Sequence, residues 1–177
     1  MTSDPARAKT MISNIQLTSD NGTNMQAGLN AAKNLLASSQ ATNKIVILIS
    51  DGEPTRFTLA NGTLCGSGQG DSLGWNPSKA CENSNLLPSS AAKNEADALK
   101  NSNVKIYAVG YANEDGELHQ FLTEKIASQP KETYSHNATS TEKLAEVMKQ
   151  IATNIKHILA KDAKVTDTIR PNMHPHK

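Results

Sequence analysis

Thr23 and Asp51 are the two side chains of this chain whose types and spacing best suit binding chemistry. Asp51 follows a continuous uncharged run, residues 45–50, and is itself followed by Gly52. Such a run predicts a strand buried on both faces of a parallel sheet. A carboxylate at the carboxyl end of that strand would lie in the crevice where open α/β sheets bind their ligands. The simpler alternative is an Asp-Gly turn that only terminates the strand.

Alternating helices and strands position these two residues. Asp4 followed by Pro5 is typical of a helix start, and an apolar stripe then predicts a helix over residues 5–16. A second stripe predicts a helix over Met25–Ala37, directly after Thr23, and strand 44–50 follows it. The pattern therefore predicts an α/β fold.

The alternation continues beyond residue 88. Because repeated strand–helix units require right-handed crossovers, we expect a parallel sheet. The expected elements are a helix capped by Ser89 or Ser90 and running to about Lys100, strand 104–110, a helix carrying Leu118 and Ile126, a short edge strand at Thr133–His136, and a long helix carrying apolar residues to Ile158.

A segment rich in Gly, Ser and Asn, residues 53–88, interrupts this pattern. Loops of this length without structure are uncommon in compact domains, and both a functional role and an inconsequential mobile insertion remain open. Cys65 and Cys81 lie in this segment. They form either one disulfide of a secreted protein or two free thiols, and their polar surroundings favour the disulfide.

Residues 21–32 and 45–52 together resemble the von Willebrand factor A domain family. In that family a threonine on one loop and an aspartate after the next strand belong to a metal-ion-dependent adhesion site, and Thr23 and Asp51 match them in order and spacing. The resemblance implies a three-layer, Rossmann-like α/β fold with a mostly parallel sheet flanked by helices. Short matches at Asp51–Thr55, Tyr107–Tyr111 and 162–167 are similar to the A domains of Gram-positive pilus-tip and surface adhesins.

The family's other three ligands come from an Asp-x-Ser-x-Ser motif on its first strand, and this chain has no such motif. The resemblance implies that the first strands are missing, in a fragment of a longer protein, a late-start gene product or a variant with rearranged strands. We expect residues 1–160 to be a partial A domain whose strand 44–50 exposes its apolar side and its unpaired edge. Residues 161–177 are expected to begin a following β-module or to form a disordered tail.

The implied function is a non-enzymatic cell-surface adhesion module. Mg²⁺, or Mn²⁺ or Ca²⁺, would be held by Thr23 and Asp51 and would accept a carboxylate from a host or extracellular-matrix protein. With only two of the ligands present, we expect weak or absent metal binding by this chain alone. The alternative is a structural or pilus-assembly scaffold with a degenerate A domain that binds no metal. Either parent protein would lie at the cell surface, in the cell wall or outside the cell, beside other pilus or surface-protein domains.

Composition and motifs argue against other functions. The formal charge is +1, from 18 basic and 17 acidic residues, which gives no electrostatic case for binding nucleic acid. No apolar run approaches the ~20 residues of a membrane span, and this chain shows no signal peptide or anchor. Known catalytic motifs are absent, so we expect no enzyme. The five histidines show no ligand spacing: His119, His136, His157, His174 and His176.

Overall fold

The computed structural model describes residues 4–16, 22–112 and 116–161, so all of the segment predicted as a β-module or tail except Lys161 lies outside the described residues. Helices separate the three strands of the main sheet along the described part of the chain. In chain order the elements are α1 Pro5–Ser13, α2 Met25–Ala37, β1 Lys44–Ser50, β2 Phe57–Thr58, β3 Leu64–Cys65, α3 Lys79–Asn83, α4 Pro88–Asn101, β4 Val104–Tyr111, α5 Glu117–Phe121, a π-helix at Leu122–Ile126, α6 Lys131–Tyr134, β5 Ser135–Ala138 and α7 Thr141–Lys161.

The main sheet has the strand order β1-β4-β5, and both pairs of strands are parallel. Lys44 lies opposite Val104 and Ser50 opposite Gly110, so the carboxyl ends of β1 and β4 meet at one edge of the sheet. The predicted parallel α/β sheet flanked by helices is confirmed. The register matters for function because it brings the residue after β1 beside the end of β4.

The main core packs around the central strand β4, whose residues Ile106, Tyr107, Ala108 and Val109 are fully buried. Four of the described α-helices and the π-helix contribute aliphatic side chains to this core, as the low aromatic content requires. Burying one such side chain contributes about 1.5–3 kcal/mol to folding. The residues that do so are Leu29 of α2, Ala96 and Leu99 of α4, Leu118 of α5, Leu122 and Ile126 of the π-helix, and Ile151 of α7.

Strand β1 lies at an edge of the described sheet and is not buried on both faces. Ile47 and Ile49 point away from the core and are 38% and 45% exposed. The expectation that strand 44–50 exposes its apolar side and an unpaired edge is confirmed. The expectation from the aliphatic run alone, burial of this strand on both faces, was wrong. Since burial requires a neighbour on each side, the aliphatic run alone could not distinguish a central strand from this edge strand.

Helix α1 begins where the sequence predicts but buries none of its side chains. Asp4 caps the helix, since its Oδ1 accepts a hydrogen bond from Ala6 N at 2.9 Å. The helix ends at Ser13 rather than at residue 16. Its apolar stripe remains exposed at Met11, Ile12 and Ile15, so this helix contributes little to the described core.

Three other boundaries differ from the expectation. Helix α4 starts at Pro88, with extended Leu87 before it, so neither Ser89 nor Ser90 is the cap; the fixed φ of proline suits the first helical position. Residues expected in strand Thr133–His136 divide between α6 and β5, because a helical turn follows Pro130. The helix carrying Leu118 and Ile126 changes to π geometry after Phe121, and Ala127 N donates to Leu122 O at 2.8 Å.

Residues 57–87, named the disulfide lobe here, are structured, which corrects the expectation of an inserted loop over 53–88. The hairpin β2–β3 and helix α3 lie within it, and a disulfide joins Cys65 to Cys81. Phe57 and both cysteines are buried with Ala91 of α4 in a second apolar cluster. The lobe therefore packs on the domain through its own small core.

Candidate functional site

Thr23 is fixed by backbone contacts with the segment that follows β1. Thr23 N donates to Thr55 Oγ1 at 2.8 Å. Thr55 N and Arg56 N both donate to Thr23 O, at 2.9 and 3.1 Å. Asn24 begins α2 by accepting at Oδ1 from Ala27 N, which is the role of an N-cap residue. Thr23 is therefore held by residues 55 and 56 directly before the start of α2.

Asp51 occupies the turn that ends β1. Ser50 Oγ donates to Gly52 O at 2.8 Å and closes this turn, while the Asp51 side chain remains exposed. Gly52 faces the Thr23 hydroxyl, since a Cβ on Gly52 would lie 3.1 Å from Thr23 Oγ1. The glycine thus allows the two loops to approach closely, and the functional consequence is that both oxygen-bearing side chains reach the same surface.

Both predicted ligands line one open depression at the carboxyl edge of the sheet. The depression has a volume of about 440 Å³. Its lining residues are Gly22, Thr23, Ile49, Ser50, Asp51 and Tyr111. A location outside the carboxyl ends of parallel strands is the usual ligand site of open α/β sheets.

The chemistry of these two donors fits a hard divalent cation. A threonine hydroxyl and a carboxylate are both oxygen donors, and Mg²⁺ commonly keeps several waters beside one or two protein carboxylates. Among the described residues, no group of three or more His, Cys, Asp or Glu side chains is arranged to hold a metal ion. The depression therefore offers two protein donors and leaves the remaining positions to water or to a partner.

Two residues that the sequence analysis did not single out help to form this site. Thr55 accepts the hydrogen bond from Thr23 N through its hydroxyl, and Arg56 binds Thr23 O through its backbone. The sequence offered one signal for this role: Thr55 is a polar residue shortly after the Asp-Gly turn. Nothing in the sequence pattern indicated that residues 55 and 56 would contact a loop more than thirty positions upstream.

The one buried histidine of the described chain has a structural environment. His136 on β5 stacks against Tyr107, with ring centroids 6.3 Å apart, and its Nε2 lies 3.1 Å from Thr133 O. Burial lowers the pKa of His136 below its ordinary value, and neighbouring His119 adds to that effect. Burial likewise raises the pKa of Tyr107. Tyr107 belongs to the core cluster and His136 stacks on it, and neither residue lines the depression.

Comparisons with known proteins agree with this fold. The crystal structure of the pilus adhesin SpaC from Lactobacillus rhamnosus GG, in its open conformation, superimposes with a TM-score of 0.59 at 22% identity, over 87% of this chain and 22% of SpaC. The vWF domain of the type V pili tip protein Mfa5 from Porphyromonas gingivalis gives a TM-score of 0.58 at 21% identity, over 83% of this chain and 71% of that domain. At these identities the likeness establishes the fold alone.

The chain covers 22% of the length of SpaC. The shared fold therefore does not assign the function of the whole SpaC protein to this chain. No curated protein sequence matches the chain. The family model described as "Rv0959-like protein, vWA domain" matches residues 3–133, most of the described part of the chain. With the parallel sheet and the Thr23 and Asp51 loops in the expected order, this match shows that the chain belongs to the von Willebrand factor A domain family.

Proposed function

We propose that this A domain is a protein-binding adhesion module that contacts its partner at the depression formed by Thr23 and Asp51. The observation that carries the proposal is that these two oxygen donors, on separate loops, line one open surface at the carboxyl edge of the sheet. Family membership and the fold shared with two pilus proteins support adhesion over catalysis.

Thr23 and Asp51 would hold Mg²⁺, or Mn²⁺ or Ca²⁺, through their oxygens. A bound ion of this kind supplies an electrophilic position that accepts a carboxylate oxygen from a partner protein. Two protein donors hold such an ion weakly, and a partner carboxylate would strengthen the site by adding a ligand of opposite charge. Ser50 and Gly52 position Asp51, and the backbone contacts of residues 55 and 56 position Thr23.

The partner we propose is a host or extracellular-matrix protein that presents an acidic side chain. Other pilus or surface-protein domains are the neighbours that we propose in the parent protein, at the cell surface, in the cell wall or outside the cell. None of the described helices is long and apolar enough to cross a membrane.

Titration of the full chain with Mn²⁺, followed by electron paramagnetic resonance, tests the metal role. Asp51→Asn removes the negative charge and Thr23→Val removes the hydroxyl, each with little change of shape. We expect at least ~10-fold weaker binding in each, since a charge-assisted contact is typically worth about 1.5–3 kcal/mol. Glu132→Gln is the matched control, because Glu132 is an exposed carboxylate on α6, away from the depression. Equal binding by Asp51→Asn and the control would contradict the assignment.

The alternative function is a structural or pilus-assembly scaffold with a degenerate A domain. It is favoured by the small donor set in the described residues. Under this alternative, Mn²⁺ would bind neither the native chain nor the chain with an acidic peptide, while circular dichroism would show all variants folded. A gain in Mn²⁺ affinity on adding an acidic peptide favours the adhesion module.

A further inference from the structure

Arg56 carries a positive charge that the described chain does not neutralise. None of the ion pairs in residues 4–16, 22–112 and 116–161 includes it. Its Nε is covered from solvent and has no hydrogen-bond partner. Buried donors are almost always paired, and a charged one left unpaired costs more than a neutral one. A cation in this state is a candidate for binding an anion from outside the chain.

The Arg56 side chain lies against the wall of the depression. Its Nε and Cδ are 2.7 and 3.0 Å from the position that a Cβ on Gly22 would occupy, and Gly22 lines the depression beside Thr23. Its backbone N–H donates to Thr23 O at 3.1 Å. The backbone of Arg56 is therefore bonded to Thr23, and its side chain lies close to Gly22.

The disulfide lobe also lies close to the backbone of residues 55 and 56. A Cβ on Gly66, the neighbour of Cys65, would lie 2.3 Å from Thr55 O and 2.8 Å from Arg56 Cα. Residues 55 and 56 are thus held between the Thr23 loop and the lobe. Because the backbone is held and Nε is packed against Gly22, the side chain has little freedom left to lose on binding a ligand.

We propose that Arg56 binds the carboxylate of the protein partner beside the Thr23–Asp51 depression, and that it does so without a divalent metal. Arg56 is half-buried while its Nε is covered, so its exposed surface lies on its other atoms. The terminal guanidinium nitrogens are planar donors whose geometry suits a carboxylate. The inference rests on the proposed function for the location of the partner, and it adds the partner's chemistry: an acidic segment that is recognised even when metal is removed.

Nuclear magnetic resonance of the arginine Nε–H groups of the full chain, in the presence of EDTA, tests this inference. The probes are the blocked peptide Ac-Ala-Asp-Ala-NH₂ and its amide analogue Ac-Ala-Asn-Ala-NH₂. We expect the Arg56 signal to shift with the aspartate peptide and not with the asparagine peptide. Affinity for the aspartate peptide should fall ~10-fold in Arg56→Gln, the scale of one charge-assisted contact. Arg7→Gln, which removes an arginine on α1, is the matched control and should bind as the native chain does.

The outcomes separate this inference from the metal proposal. Asp51→Asn should weaken Mn²⁺ binding at least ~10-fold, whereas Arg56→Gln should weaken peptide binding in EDTA, where no metal is bound. An Arg56 signal that does not shift, or that shifts equally with both peptides, overturns the role of Arg56 whatever the Mn²⁺ titration shows. Equal loss of affinity in Arg7→Gln and Arg56→Gln also overturns it, because general electrostatic attraction would then account for binding.

Discussion

Substitution of Gly66 by alanine should destabilise the domain through the contact between the disulfide lobe and residues 55 and 56. Gly66 has a φ of +105°, which costs an L-residue about 1–2 kcal/mol. The added Cβ would also lie 2.3 Å from Thr55 O and 2.8 Å from Arg56 Cα, both backbone atoms that cannot rotate away. Overpacking of this kind typically costs a further 1–3 kcal/mol. We therefore expect Gly66→Ala to lower the free energy of unfolding by roughly 2–5 kcal/mol.

Gly62→Ala provides the matched control for the backbone cost. Gly62 also has a positive φ, +86°, but a Cβ there would meet no atom within 4 Å. The free energy of unfolding of Gly62→Ala should therefore fall by only about 1–2 kcal/mol. Urea denaturation followed by circular dichroism measures both variants, and the difference between them isolates the steric contribution. Equal destabilisation of the two variants would refute the close approach between the lobe and residues 55 and 56.

Three further predictions concern the disulfide, the buried histidine and the sheet edge. The double variant Cys65→Ser/Cys81→Ser should lose about 3 kcal/mol of unfolding free energy, because the disulfide closes a loop with a sequence separation of 16; a reductant should lower the urea midpoint of the native chain and leave that of the variant unchanged. Burial holds the pKa of folded His136 below 6.5, so the unfolded state binds more protons in this range and stability should fall as the pH drops below 6.5. Urea midpoints across this pH range should show that slope, and a slope that persists in His136→Gln would assign it to other groups. Ile49→Lys should reduce self-association measured by light scattering while changing stability by only about 0.5 kcal/mol, because Ile49 lies exposed on an edge strand. Leu48→Lys, one position away and packed against the core, should destabilise strongly.

The elements with long, regular patterns were predictable from the sequence. Helix α2 has the predicted bounds Met25–Ala37, and β1 has the predicted bounds Lys44–Ser50. In both cases a helical or continuous apolar pattern is followed by a clear change in polarity, so local preferences and tertiary packing agree. The placement of Thr23 in the loop before α2 and of Asp51 in the turn after β1 was also predictable, because it depends only on the bounds of these two elements.

Features that depend on contacts between distant segments were not predictable. The structure within residues 57–87 depends on a small apolar cluster in which Phe57, Ala91 and the two disulfide-bonded cysteines are buried together. The shift of β5 reflects a helical turn whose Tyr134 packs on Tyr107, with ring centroids 4.7 Å apart. The position of Arg56 depends on two glycines, Gly22 and Gly66, that allow close approach from both sides. Periodicity describes one element at a time and carries no information on such contacts.

The disulfide lobe has an inner part and an outer part with different tolerance for sequence change. Gly66 lies against residues 55 and 56, Cys65 is buried in the disulfide, and Leu73 packs on the lobe's apolar cluster, so these positions are constrained. Trp75 is fully exposed, and much of the surrounding segment is exposed as well. Mutations in the outer part should therefore change the exposed surface while Thr23 and Asp51 keep their positions, so under the proposed function the choice of partner can evolve separately from the two oxygen donors.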